Sequence, residues 1–104
     1  MHPHRQAQLR SLALHAHVAA ELDPAMVARA KDRVEAWSAD GRLHPLYAER
    51  WRSWLERPLH ELRALLLEDS ELAHDMRQTS PFAGEIPPRK RWEILRRAQQ
   101  RSTA

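Results

Sequence analysis

The sequence predicts an all-α fold: a small bundle of about five helices, followed by a proline-rich loop and a C-terminal basic helix. Three observations predict it. Only 2 of the 104 residues are glycine, Ala, Leu, Arg and Glu abound, and β-branched residues are few. Apolar residues recur at helical spacing. Prolines fall between the apolar stretches, where helices start. A chain of 104 residues suits one domain and buries roughly 65% of its unfolded surface, enough for one modest core and too little for a large substrate cavity. Within it, residues 1–79 read as a helical body and 80–104 as a loop and basic helix, either part of that domain or a docking arm.

The first helix is expected over about 5–22, where Leu14, Val18 and Leu22 repeat every fourth residue and Leu9 and Leu12 widen the stripe. Asp23-Pro24 then supplies an N-cap and a proline at the first helical position. The second helix, about 24–39, places Val27, Ala30, Val34 and Trp37 on one face, and Gly41 stops it. His44-Pro45 opens a third, about 45–56, with Tyr47, Trp51, Trp54 and Leu55 as its apolar side. Pro58 opens a fourth, about 58–68, with Leu59, Leu62, Leu65 and Leu66 together. Asp69 or Ser70 caps a short fifth, about 70–78, with Leu72 and Met76 inward. "TSPFAGEIPP" cannot be helical throughout, and Pro87-Pro88 enforces extended backbone before the last helix, about 88–101. Close proline spacing predicts that the first four helices are successive antiparallel neighbours.

With no cysteine there is no disulfide, thiolate metal site or catalytic thiol, which fits a cytoplasmic setting. The longest leucine run, Leu65 to Leu67, is far short of the roughly 18 apolar residues of a membrane span. The N-terminal stretch carries His and Arg through its apolar part and does not read as a signal peptide. The 7 histidines raise metal chemistry without supporting it. His2 and His4, and His15 and His17, are two apart and face different sides of a helix. "HEL" at 60–62 has Ala64 where a zinc helix needs its second His, and "ELAH" at 71–74 is a single Glu-x-x-His pair where di-iron bundles need two. "RSLALH", Arg10 to His15, has the Arg-x4-His spacing of HEPN ribonucleases, in which the His is a general base and the Arg stabilises phosphate charge. No Gly-rich phosphate loop and no nucleophile signature stand beside it. The expectation is no enzyme and no cofactor. Four acids in "EDSELAHD", Glu68, Asp69, Glu71 and Asp75, suit a solvated helix start or a patch for a basic partner.

The net charge of +3 is uneven: residues 1–84 hold 11 Lys/Arg against 12 Asp/Glu, and residues 85–104 hold 6 against 2. On a helix from Pro88, Trp92 and Leu95 lie three apart with Ile94 beside them, and Arg89 and Arg96 fall outside that strip. The strip either packs on the body, docks in a groove of another protein with arginines at the rim, or sits on nucleic acid. Phe82, the 1 phenylalanine, is an apolar plug on a stiff loop that either pins the loop to the core or enters a partner's pocket.

"HPLYAERWRSWL" (44–55), "PLHELRALL" (58–66) and above all "RQTSPFAGEIPPRKRW" (77–92) resemble segments of small helical bacterial proteins that accompany toxins, including nucleotidyltransferase toxins of the Abi type. The resemblance covers roughly the last 60% of the chain. It implies an antitoxin that neutralises its toxin by direct contact, and it carries over no catalytic residue. The expected contact residues are Phe82, Arg89, Arg91, Trp92 and Arg96, the arginines among them matching carboxylates on the toxin. The alternative is a nucleic-acid-binding regulator that uses the basic helix.

Overall fold

The helices begin and end where local chemistry satisfies their free backbone groups. The computed structural model describes residues 3–103, with side chains over 5–100. Six α-helices follow in order: α1 Pro3–Glu21, α2 Pro24–Ala39, α3 Pro45–Leu55, α4 Leu59–Leu66, α5 Glu71–Gln78 and α6 Pro88–Thr103, with a 3-10 turn at Ala83–Glu85 before the last. Asp23 caps α2: its Oδ1 accepts from the Met26 N–H at 2.8 Å, and Pro24 follows. His44 Nδ1 accepts from the Leu46 N–H at 3.1 Å ahead of Pro45. Ser70 Oγ accepts from the Ala73 N–H at 3.1 Å at the head of α5. Such caps satisfy donors that a helix start leaves unpaired, and each contributes about 1 kcal/mol. Gly41, at φ +82°, turns the chain out of α2 in the left-handed region that glycine enters without steric cost.

α1 is the central element. It packs against α4, α5 and α6 and touches the 3-10 turn, while α2 packs on α3. The expected run of successive antiparallel neighbours therefore breaks at its first step. α1 and α2, joined only by Leu22 and Asp23, are not one of the main packed pairs. A short link does not decide which faces match. The buried face of α2, with Met26, Val27, Ala30 and Val34, is completed by α3.

One core joins every helix. Leu14 and Val18 of α1 and Leu22 just after it meet Trp51, Trp54 and Leu55 of α3, Leu62 and Leu66 of α4, and Ala73 and Met76 of α5. Phe82 and Ile86 of the loop belong to the same cluster, and Ile94 and Leu95 of α6 pack against it. Leu72 departs from expectation: it is exposed, because the inward sector of α5 is Ala73, Met76 and Arg77. The Cα radius of gyration, 13.7 Å, is near the ~13 Å of a single compact body of this length, so α6 is folded onto the rest. Among the described residues no helix is long and apolar enough to cross a membrane.

Candidate functional site

The loop before α6 holds one residue expected to meet a partner, and the structure uses that loop differently. Phe82 has no exposed surface. Its ring stands edge-on to Trp51, with centroids 6.0 Å apart, and Trp51 stacks likewise on Trp54 at 5.2 Å. Phe82 therefore pins the loop to the core and offers nothing to a partner, which corrects its assignment as a contact residue.

The polar groups around Phe82 complete the attachment. The Phe82 N–H donates to Ser80 Oγ at 3.0 Å. Ser80 Oγ–H donates to His15 Nε2 at 2.7 Å, and His15 Nδ1–H donates to the Ser11 carbonyl at 2.7 Å. A carbonyl can only accept, so Nδ1 carries the proton and Nε2 accepts. Burial pushes His15 down to about 4; the bond to Ser11 partly opposes this, and the positive charge of Arg77 adds to it. On α2, Arg33 Nη1 donates to the Pro81 carbonyl at 2.9 Å and pairs with Glu85 at 2.6 Å, while Arg29 grips Glu85 through Nε and Nη2. Hydrogen bonding from Arg29, then from Arg33, holds Glu85 below the usual carboxylate range. Trp51 Nε1–H donates to Thr79 Oγ1 at 3.0 Å. "SPFAGE" is thus tied to α1, α2 and α3 together.

Arg77 does similar work. Its Nη1 donates to the carbonyls of Leu66 and Glu68 at the end of α4, and its Nη2 to His74 Nδ1 at 2.7 Å. His74 Nε2–H in turn donates to Asp69 at 3.0 Å. Burial lowers the guanidinium below its ordinary value, and Asp69 and Glu68 oppose that. The "ELAH" histidine is therefore occupied in a helix-to-helix brace. His15, the base of the ribonuclease spacing, is buried with both ring nitrogens bonded, while Arg10 is exposed. The two do not share an accessible site. The His2 and His4 pair lies outside the described side chains.

What faces outward is the far side of α6. Ile94 and Leu95 turn inward. Trp92, grouped with Leu95 in one apolar strip from the sequence, parts from it: it is 60% exposed. Successive residues advance about 100° around a helix, which sets Trp92 on the sector of Arg89 and Arg96, three before and four after it. The Arg96 guanidinium lies over the indole, 5.2 Å from its centroid. Arg89 and Arg96 thus join Trp92 in one stripe. Arg91 is exposed but belongs to the sector of Ile94, Leu95 and Ala98, at the helix start. The stripe runs on to Gln99, which lines a shallow cleft with Ala98 of α6 and Gln6, Leu9 and Arg10 of α1. α1 and α6 are therefore antiparallel, and Arg10 comes up beside the end of the stripe. Sequence reasoning passed over Arg10 as part of this surface. Its signal, a basic residue in the polar sector of an early helix, has no meaning until the helix pairing is known.

The described chain contains no obvious catalytic grouping at this surface: arginines, an indole and amides are binding groups. No family model, no curated protein and no solved structure matches the chain, so its working surface is read from its own geometry.

Proposed function

We propose that this is a binding protein of the antitoxin kind, acting in the cytoplasm, whose working surface is the outer stripe of α6. One observation carries the reading: Trp92 stands 60% exposed on a helix whose inner side is anchored by Ile94 and Leu95. An exposed indole framed by Arg89 and Arg96 is held in place before any partner arrives, so little ordering cost falls on binding. Trp and Arg are the residue types that dominate binding energy at protein interfaces. The partner is a protein with carboxylates set around a pocket for the ring. A toxin of the nucleotidyltransferase class, whose active site holds metal ions with carboxylates, fits that description, and occluding such a site needs no chemistry from the inhibitor. Arg91, on the sector of Ile94 and Leu95, lies off this stripe. Phe82 acts only by fixing the loop that starts α6.

The test is co-expression with the protein encoded beside this one, read as host growth. Wild type should rescue growth from a toxic neighbour and co-purify with it in fixed ratio. Trp92→Ala combined with Arg96→Glu should lose both while keeping the fold. Full rescue by that variant would move the interface to another helix.

A further inference from the structure

The charge of this molecule is more polarised than its sequence order suggests. α1 and α6 together carry eight Lys/Arg and two Asp/Glu, a net +6, whereas the rest of the chain carries nine against twelve, a net −3. These two helices lie side by side. Of their two acids, Glu93 is near Lys90 at 3.8 Å, and Glu21 sits at the other end of α1, by the cleft that Ile86 lines. Arg10 borders the cleft that also takes Gln99, two helical turns beyond Trp92 on the same stripe. Arg89, Trp92 and Arg96 on one helix are therefore continued by Arg10 on the next.

We infer that this two-helix face binds single-stranded nucleic acid, with its phosphates along the arginines and a base stacked on Trp92. Arg89 and Arg96, about 10 Å apart along α6, with Arg10 beside the far end of their stripe, form a row of cations that suits a chain of regularly spaced phosphates. Arg96 covers one face of the indole, and the exposure of the ring leaves the other for a base. A duplex offers no open base face, so the exposed ring selects single strands. The acidic remainder of the molecule repels a polyanion and confines it to this side. The inference does not depend on the protein partner. Because Trp92 and Arg96 serve both, a nucleic acid and a protein on this face exclude each other.

The full-length chain is titrated, by fluorescence anisotropy, against a fluorescein-labelled oligo-uridylate of about 16 nucleotides, a duplex of about 16 base pairs and labelled poly-glutamate. Oligo-uridylate should bind best, and affinity should fall roughly twentyfold between about 50 and about 200 mM salt if three phosphates are engaged. Trp92→Ala should weaken the single strand and leave duplex binding unchanged. Arg10→Glu should cut affinity several-fold and flatten the salt slope by about 0.7, with an unchanged circular dichroism spectrum. Arg89→Glu with Arg96→Glu provides the same readout from α6 should the α1 variant fold poorly. No binding at low salt, or affinity untouched by the α1 reversal, overturns the inference. Poly-glutamate bound as tightly assigns the face to an acidic protein, and duplex bound as tightly removes the role of the indole; either result also overturns it. Tight poly-glutamate binding would overturn this inference and leave the toxin reading standing, whereas failure of rescue would leave oligo-uridylate binding untouched, so the two readings fail separately.

Discussion

The loop from Thr79 to Ile86 and the outer stripe of α6 are neighbours in sequence and opposites in use. The loop holds the chain's most distinctive motif, and nearly all of it is turned inward: Ser80, Pro81, Phe82 and Ile86 are buried, and Glu85 is clamped by two arginines. The α6 stripe has an unremarkable sequence, yet its aromatic ring is the most exposed large apolar side chain of the described residues. A distinctive motif in this chain marks a place where three helices must be joined at once. The surface proposed to bind lies where composition is plain and the packing leaves side chains exposed.

The largest effect expected from breaking the comparison is on the loop side. Phe82→Ala removes a fully buried ring from between Trp51 and the loop and should cost about 3–5 kcal/mol, read as a lower urea midpoint. Next comes acid. His15 titrates at about 4 folded and 6.5 unfolded, so the unfolded chain takes up more protons between those values. The contribution is complete above pH 6.5, declines as pH falls, and is gone below about 4, a loss of about 3 kcal/mol. Glu85 titrates below its ordinary 4.5, so its own loss begins lower. Denaturant midpoints measured from pH 7 to 4 should show the decline, and His15→Leu should remove most of its slope above pH 4.5; an unchanged slope would show that the histidine is not held neutral.

Ser80→Ala is the sharper probe of the same chain of bonds. It strands the Phe82 N–H and His15 Nε2 together and should cost about 1–3 kcal/mol with no change in core volume beyond one oxygen. The smallest stability effect belongs to the other region. Trp92→Ala should change unfolding free energy by less than any variant above, about 1 kcal/mol or less, since most of the ring is exposed, while abolishing partner rescue. A variant that loses as much stability as Phe82→Ala would mean that the indole supports the fold after all.

Much of the architecture was legible in the sequence because its signals are local. Asp23-Pro24, His44-Pro45, Ser70 and Gly41 set helix ends through bonds spanning two to four residues, and the six helices lie close to their expected bounds. What was not legible depends on which distant faces meet. The side taken by Phe82, the exposure of Leu72 and Trp92, and the pairing of α1 with α6 in place of α2 are all settled by packing across the chain. Glu85 was passed over as a loop carboxylate. Its signal was two arginines, Arg29 and Arg33, four apart on α2 and needing a partner. Arg10 gained meaning only when α6 was laid beside it.

That last pairing also sets a timetable. Roughly 66 residues separate Glu21 from Pro88, so at 5–20 residues per second a ribosome needs roughly 3–13 s to reach the helix that covers α1. Throughout that interval the side of α1 bearing Leu9 waits uncovered in a nascent chain. Its arginines and histidines then serve as gatekeepers, breaking up an apolar surface that would otherwise attract other unfinished chains.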